Sequence, residues 1–227
     1  MTASNADLAR QGHRPPTQRQ LQAELTRRGL LEAAVELFSV RHFDEVSTSD
    51  ITEAAGVASG LLYHHFGNKR GVYLEALREA ANRLNAAHTP PPGGGPLGGL
   101  YREMLRAHLA YLGEHEDLAL RLILGGSGGD PEAWEIFDHS RWRAIEWTCQ
   151  LLELDPDRPA LRLMLRSCAG ALDEATTYWL KNGRPFDPDA MVDVVVELLV
   201  TSLRCAARLD PEIDVSSAIA QLTDPTA

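Results

Sequence analysis

Three observations predict an all-α fold. No stretch of useful length alternates apolar and polar residues. Apolar residues recur instead at three- and four-residue spacing along most of the chain. The breaks between those stripes carry helix punctuation, with Ser, Thr or Asp ahead of them and Gly, Pro or Asn behind. The 227 residues suffice for one or two domains with a sizeable core.

The elements follow in order. Residues 1–16 are polar and are expected to form a disordered tail. Thr17 with Gln20 makes a capping box that opens helix 1, whose apolar stripe is Leu30, Leu31, Ala34, Val35, Leu37 and Phe38. Ser47 with Asp50 is a second capping box and opens a short helix in which Ile51, Ala54 and Ala55 give a small apolar face. Gly56 stands where the chain turns sharply and supplies positive φ without steric cost, and Val57 points back into the unit. A second short helix covers Ser59 to His65. Leu62 and Phe66, four apart, anchor its buried side, which leaves Ser59, Gly60, Tyr63, His64 and His65 outward. This layout is a helix-turn-helix, which can lay a helix in a DNA groove.

A longer helix is predicted over 69–87. The run HTPPPGGGPLGG at 88–99 cannot be helical throughout and reads as a hinge or loop. Beyond it, helices are expected at 100–111, at 114–124, from the Asp130-Pro131 start to about 154, at 159–181 with a stop at Asn182-Gly183, and from Asp187-Pro188 to about 209. Residues 210–227 are read as a C-terminal tail.

The N-terminal region also resembles the DNA-binding domain of the TetR family of bacterial transcriptional regulators. The matching residues are Thr26-Arg27, Ala33-Ala34-Val35-Glu36-Leu37-Phe38, Asp50-Ile51, Ala54-Ala55-Gly56-Val57, Gly60, Leu62-Tyr63-His64, Phe66 and Lys69. The resemblance covers roughly a quarter of the chain; the rest fits only in length and helical character. It implies an N-terminal three-helix DNA-binding domain at 17–68, a connecting helix at 69–87, and a helical ligand-binding and dimerisation domain at 88–209.

It also implies roles for residues. The DNA-binding set is Arg27, Ser47, Thr48, Ser59, Gly60, Leu61, Tyr63, His64, His65 and Lys69, with Tyr63 and Lys69 on phosphates and Ser59, Gly60 and His64 nearest base edges. Three positions depart from the family pattern. Ala58 replaces a frequent Ser and loses a cap, Leu61 replaces a common Thr, and His42 replaces a usual Gly, where His can enter the left-handed region at some cost. Two C-terminal stripes, Leu161, Leu165, Cys168, Leu172, Ala175 and Trp179 with Met191, Val194, Val195, Leu198, Ser202 and Cys205, can pack inside a subunit or against its symmetry mate. The resemblance implies the second, a four-helix interface between two subunits.

The helix from Asp130-Pro131 holds three of the four Trp and is apolar on more than one side. It is therefore expected either at the centre of the core or along a cavity. The expected pocket residues are His108, Tyr111, Trp134, Phe137, Arg141, Trp142, Ile145 and Tyr178.

Charge fits a DNA-binding base under an acidic body. The net charge is −10, yet residues 1–80 carry 9 Lys/Arg against 10 Asp/Glu, while residues 81–227 carry 13 against 22. Five Arg against one Glu lie within 10–30. That distribution favours a specific docking pose over general coating of DNA.

Other functions lack their signatures. No run of about 18 apolar residues suggests a membrane span, and the first residues lack a signal peptide's apolar stretch, so a cytoplasmic protein is expected. Cys149, Cys168 and Cys205 are odd in number and have no CxxC spacing, so they read as buried thiols, neither disulfide framework nor zinc site. Adjacent His64 and His65 point about 100° apart on a helix and do not share one metal easily. GGSGGD at 125–130 lacks the Gly-Lys-Ser/Thr ending of a phosphate loop. No catalytic motif and no cofactor are expected. The predicted function is a homodimeric repressor that binds a palindromic operator in duplex DNA and is released by a small apolar or amphipathic molecule. The alternatives are a ligand-free DNA-binding adaptor and a helical enzyme.

Overall fold

The computed structural model describes residues 17–87, 96–114, 116 and 131–223. The expected tail at 1–16, residues 88–95 of the expected loop, most of the helix expected at 114–124, and the turn at 125–130 with its Asp130 cap lie outside them. The described residues form nine α-helices: α1 Gln18–Val40, α2 Thr48–Ala54, α3 Gly60–Phe66, α4 Lys69–Ala87, α5 Leu97–Glu114, α6 Pro131–Leu151, α7 Pro159–Lys181, α8 Pro188–Leu209 and α9 Ser216–Thr223. None is long and apolar enough to cross a membrane.

The helix starts written in the sequence are made by hydrogen bonds. Thr17 N–H donates to Gln20 Oε1 at 2.8 Å, and Gln20 N–H returns to Thr17 Oγ1 at 3.3 Å. Ser47 N–H donates to Asp50 Oδ2 at 2.8 Å, and Asp50 N–H to Ser47 Oγ at 3.0 Å. Each pair satisfies N–H groups that a helix start leaves without partners. At the start of α8, Asp187 Oδ1 accepts from Asp189 N–H at 2.8 Å, with Pro188 in the first turn. The far end of α7 closes on Asn182 and on Gly183 at φ +72.

Two hydrophobic clusters divide the burial. One joins α1 to α4 through Leu30, Ala34, Phe38, Ile51, Leu62, Val72 and Leu77. Phe38, Phe43 and Tyr73 pack edge and face within it. The other lies among α5 to α9, with Leu109, Leu112, Cys149, Leu161, Leu180, Leu199, Leu203 and Leu222 at its centre. Burial pushes the Cys149 thiol up to about 11 and raises Cys168 as well, so at neutral pH both are protonated, unreactive core groups.

Two helices belong to both clusters. In α4, Val72, Leu74 and Leu77 sit in the first, and Leu84 packs on the second. In α6, Ala133 and Ile136 join the first, and Ile145 and Cys149 the second.

Several expectations need correction. Helix α5 begins at Leu97, so Gly98 and Gly99, expected in a loop, are helical. Pro96 O accepts from Leu100 N–H at 3.0 Å, and Gly98 is buried where it has no side chain to accommodate. Residues 216–223, expected within a tail, form α9, whose Ala218 and Leu222 are buried. Arg102 of α5 donates to Leu222 O at 2.9 Å and fastens it there. His42 meets no such cost: its φ is −64, which any L-residue adopts. Ala54, expected on an apolar face, is exposed, and the buried partner of Ile51 is Thr52.

The expected subunit interface also needs correction. Leu161, Leu165, Trp179, Met191, Val195 and Ser202 are buried inside the subunit. Cys168, Leu172, Leu198 and Cys205 are partly buried, Cys168 and Leu172 packing on the same core. The stripes were real, but within the subunit they pack on each other and on α5 and α6. Val194, on the edge of the same α8 stripe, stays more than half exposed, as do Leu163 and Tyr178 of α7.

Candidate functional site

The outer face of the first cluster is built around α3. Ala55 ends α2, and Gly56 turns the chain at φ +65, a conformation costly for any side chain with a Cβ. Val57 N–H donates back to Thr52 O at 3.0 Å. Helix α3 then starts at Gly60, one residue later than expected. Ser59 makes no side-chain cap, and Leu61 N–H bonds to Ala58 O at 3.0 Å. Leu62 is fully buried and Phe66 half-buried, which fixes the roll of the helix. Ser59, Gly60, Tyr63 and His64 face solvent.

The join between α3 and α4 is tight. Asn68 Oδ1 accepts from Gly71 N–H at 2.8 Å, and a Cβ on Gly71 would lie 2.1 Å from Phe66 O. Only glycine admits that approach.

The other expected DNA contacts take distinct places. The Tyr63 hydroxyl lies 3.4 Å from Thr48 Oγ1, so α2 and α3 present one polar edge. Ser47 is exposed and committed to its cap. Lys69 Nζ stands 4.1 Å over the Phe43 ring. His65 is half-buried; burial, then His64 and Arg27, depresses its pKa and favours the neutral ring. Leu61 packs partly against the cluster. Arg27 lies further in, bonded to Glu75 at 3.0 Å and 5.2 Å from the Phe66 ring, where it ties α1 to α3 and α4.

Behind this unit lies a cavity of ≈ 330 Å³, walled by α4 to α8. Its lining is mostly apolar, as ligand pockets are. Of the expected pocket residues, His108, Phe137, Arg141 and Ile145 line it. Tyr111, Trp134, Trp142 and Tyr178 do not. Trp134 and Tyr178 face outward, Trp142 lies under the Arg162 guanidinium at 4.1 Å, and Tyr111 packs beside the cluster. Trp147 is the Trp that lines the cavity.

The polar wall was not foreseen apart from His108 and Arg141. Arg141 pairs with Asp173 of α7, and both are largely buried. Burial raises the Asp173 pKa, with Arg141 opposing. Asn85 Nδ2 donates to Ser140 Oγ at 3.0 Å and joins α4 to α6 at the rim. Lower down, Glu132 at the start of α6 meets Arg70 at 2.8 Å and Arg78 at 3.5 Å, both from α4. Asp173 and Thr176 interrupt the apolar pattern of α7 three residues apart, a signal the sequence did carry. No group of three or more His, Cys, Asp or Glu could hold a metal ion among the described residues.

Comparisons with known proteins bear on this arrangement. Residues 30–76 match the family model described as bacterial regulatory proteins, tetR family. Over 180 residues the chain is 27% identical to the HTH-type transcriptional activator FasR of Mycolicibacterium smegmatis, covering 75% of this chain and 80% of that one. Over 49 residues it is 45% identical to the HTH-type transcriptional repressor KstR2 of Rhodococcus jostii, covering 22% of this chain and 24% of that one. Among solved structures, a tetR-family transcriptional regulator from Streptomyces coelicolor superposes with a TM-score of 0.73 at 26% identity, covering 88% of each chain.

Proposed function

For a chain that belongs to the TetR family of bacterial transcriptional regulators, we propose a homodimeric repressor, not an enzyme, that leaves a near-palindromic operator when a small molecule fills the cavity among α4 to α8. The observation that carries this reading is the double membership of α4 and α6. Each has one end in the core beneath the exposed recognition helix α3 and the other in the cavity wall. A ligand that prefers one placement of these helices shifts α3 with them, and DNA must by linkage weaken the ligand by the same factor that the ligand weakens DNA.

Residues 17–68 act as the DNA-binding domain. Ser59, Gly60 and His64 lie nearest base edges, and Tyr63 and Lys69 reach phosphates. Residues 69–87 connect it to the helical body. Two copies are needed because one short helix reads only a few base pairs. The exposed faces of α7 and α8, with Leu163, Tyr178 and Val194, are the surface on which the second copy packs. Relatives bear both signs of regulation, FasR being named an activator and KstR2 a repressor. Repression is the reading carried by the proposal, in line with the repressor name of KstR2.

The test joins selection of bound duplexes from a random pool with sedimentation and transcription from a template carrying the selected site. The expected result is a dimer on an inverted repeat that lowers transcription. A persistent monomer on a single half-site, or raised transcription, would sink the corresponding part of the reading.

A further inference from the structure

We propose that the cavity is shaped for an uncharged oxygen acceptor on an apolar body of about ten to twelve heavy atoms, such as a ketone, ester or lactone carbonyl, and not for a free carboxylate or an amine. The inference rests on the ligand-responsive reading above and names the chemistry of its ligand.

The size follows from volume. At ~30 Å³ for each water-sized group, the ≈ 330 Å³ cavity takes about eleven such groups. Most of its wall is hydrocarbon and thioether, from Met104, Leu105, Ile145, Leu165 and Leu199.

The head group follows from two donors. Arg141 Nε is buried and has no hydrogen-bond partner among the described residues. Thr176 is 1% exposed, and its hydroxyl has no partner among them either. Both residues line the cavity, one from α6 and one from α7. Buried polar atoms are nearly always paired, so two unpaired donors on one cavity wall mark the place of a missing acceptor. A carbonyl oxygen has two lone pairs and can accept from both.

Charge excludes the alternatives. Asp173 already pairs with Arg141, so the wall is neutral as a unit. A carboxylate seated there would face the Asp173 carboxylate in a poorly solvated space, and an ammonium would face the guanidinium. Tyr101 and Cys168 of the lining stay neutral, burial raising both. The other charged or titrating groups of the lining are His108 of α5 and Arg143 of α6, and Arg143 is exposed. An acid held by those two would leave the Arg141 and Thr176 donors unpaired. A carbonyl bridging α6 and α7 also acts on the helix whose first turn reaches the DNA-binding core.

The experiment is intrinsic fluorescence, read through Trp147, with four probes at pH 7: 2-decanone, decanoate, decylamine and butylbenzene. The expected result is 2-decanone at least tenfold tighter than decanoate or decylamine. Thr176→Val should weaken 2-decanone about fivefold, as one lost hydrogen bond does, and change butylbenzene less than twofold. Thr176→Ser keeps the hydroxyl and should restore the preference, which separates the head-group contact from a packing fault. Decanoate or decylamine bound as tightly as the ketone, or a ketone affinity indifferent to Thr176→Val, would overturn the inference and leave a ligand-responsive regulator standing. Failure of all four probes, butylbenzene included, would overturn both.

Discussion

The Tyr63 hydroxyl lies 3.4 Å from Thr48 Oγ1, so the first residue of α2 orients the aromatic side chain of α3. A phenol that accepts from Thr48 still has its own proton to give. A DNA phosphate is the acceptor this geometry suits, and Lys69, held over Phe43, is placed for a second. Tyr63→Phe should weaken operator binding about tenfold, nearly equally across operator variants, because phosphate contacts position without reading sequence. Lys69→Ala should lower the slope of log affinity against log salt by about one. It should also cost about 0.5–1 kcal/mol of stability by removing the cation from the Phe43 face. Salt titrations and thermal melts separate the two effects, and an unchanged slope would place Lys69 away from the backbone.

The cap of α2 predicts a pH dependence. Hydrogen bonds from the Ser47 backbone and side chain, then Arg41, hold the Asp50 carboxyl below its usual 3.8. A carboxylate with a depressed folded pKa contributes stability that is present above the unfolded value and lost as pH falls through the folded one. The melting temperature of the native chain should therefore fall more steeply below about pH 4 than that of Asp50→Asn, which can keep the cap's geometry without the titration. Parallel acid profiles for the two proteins would show that Asp50 contributes nothing through its charge.

Much of this was legible because it is local. Thr17 with Gln20, Ser47 with Asp50, and Gly56 each specify hydrogen bonds or dihedrals within a few residues, and the structure has them. Which neighbour claims an apolar stripe is not local. Val194 and Val195 are read on one stripe, yet Val195 is buried within the subunit while Val194, like Leu163 of α7, is more than half exposed. Periodicity alone does not say which face meets α5 and α6 and which stays open. The Trp cluster misled for a related reason. Trp134 and Trp142 share a helix with Trp147, and only the roll of α6 decides that Trp147 meets the cavity. Arg141 was expected in the pocket, but its pairing was not legible, because its partner Asp173 is 32 residues away on another helix. Helix α9 was missed although Val215, Ala218, Ile219 and Leu222 keep helical spacing after the Asp214 cap. Eight residues are too few for periodicity to stand out without the groove that buries them.

The exposed stripe yields a paired prediction. Val194 is 52% exposed, whereas Val195 beside it is 3% exposed. Val194→Glu should leave the fold intact, turn the dimer into a monomer at micromolar concentration, and weaken operator binding at least tenfold, since a charge at a desolvated interface is left unpaired. Val195→Glu should instead lower helicity, because it places the charge in the subunit core. Sedimentation with circular dichroism reads both outcomes. A Val194→Glu protein that remains dimeric would move the interface off this face.

The start of α6 is where ligand and DNA should be coupled. Glu132 meets Arg70 and Arg78 of α4, and the three side chains are each about half exposed. Ion pairs of that exposure contribute little to stability, so Glu132→Gln should fold with a melting temperature close to the native one. Their importance lies in direction. They fix the first turn of α6, next to Ala133 in the DNA-binding core, to the helix that follows α3. A displacement of α6 by a ligand on Arg141 is then passed to α4 as a rigid movement. Without the clamp, α6 can shift while α4 stays in place. Affinities for 2-decanone and for operator, measured separately, should change less than about threefold in Glu132→Gln. The factor by which each weakens the other should fall from about tenfold or more to near one, equally in both directions as linkage requires. Titration of the ligand with and without saturating operator gives that factor directly. If it survives the substitution unchanged, the signal runs through α4 and the Asn85–Ser140 contact at the cavity rim, and the first turn of α6 is only a structural joint.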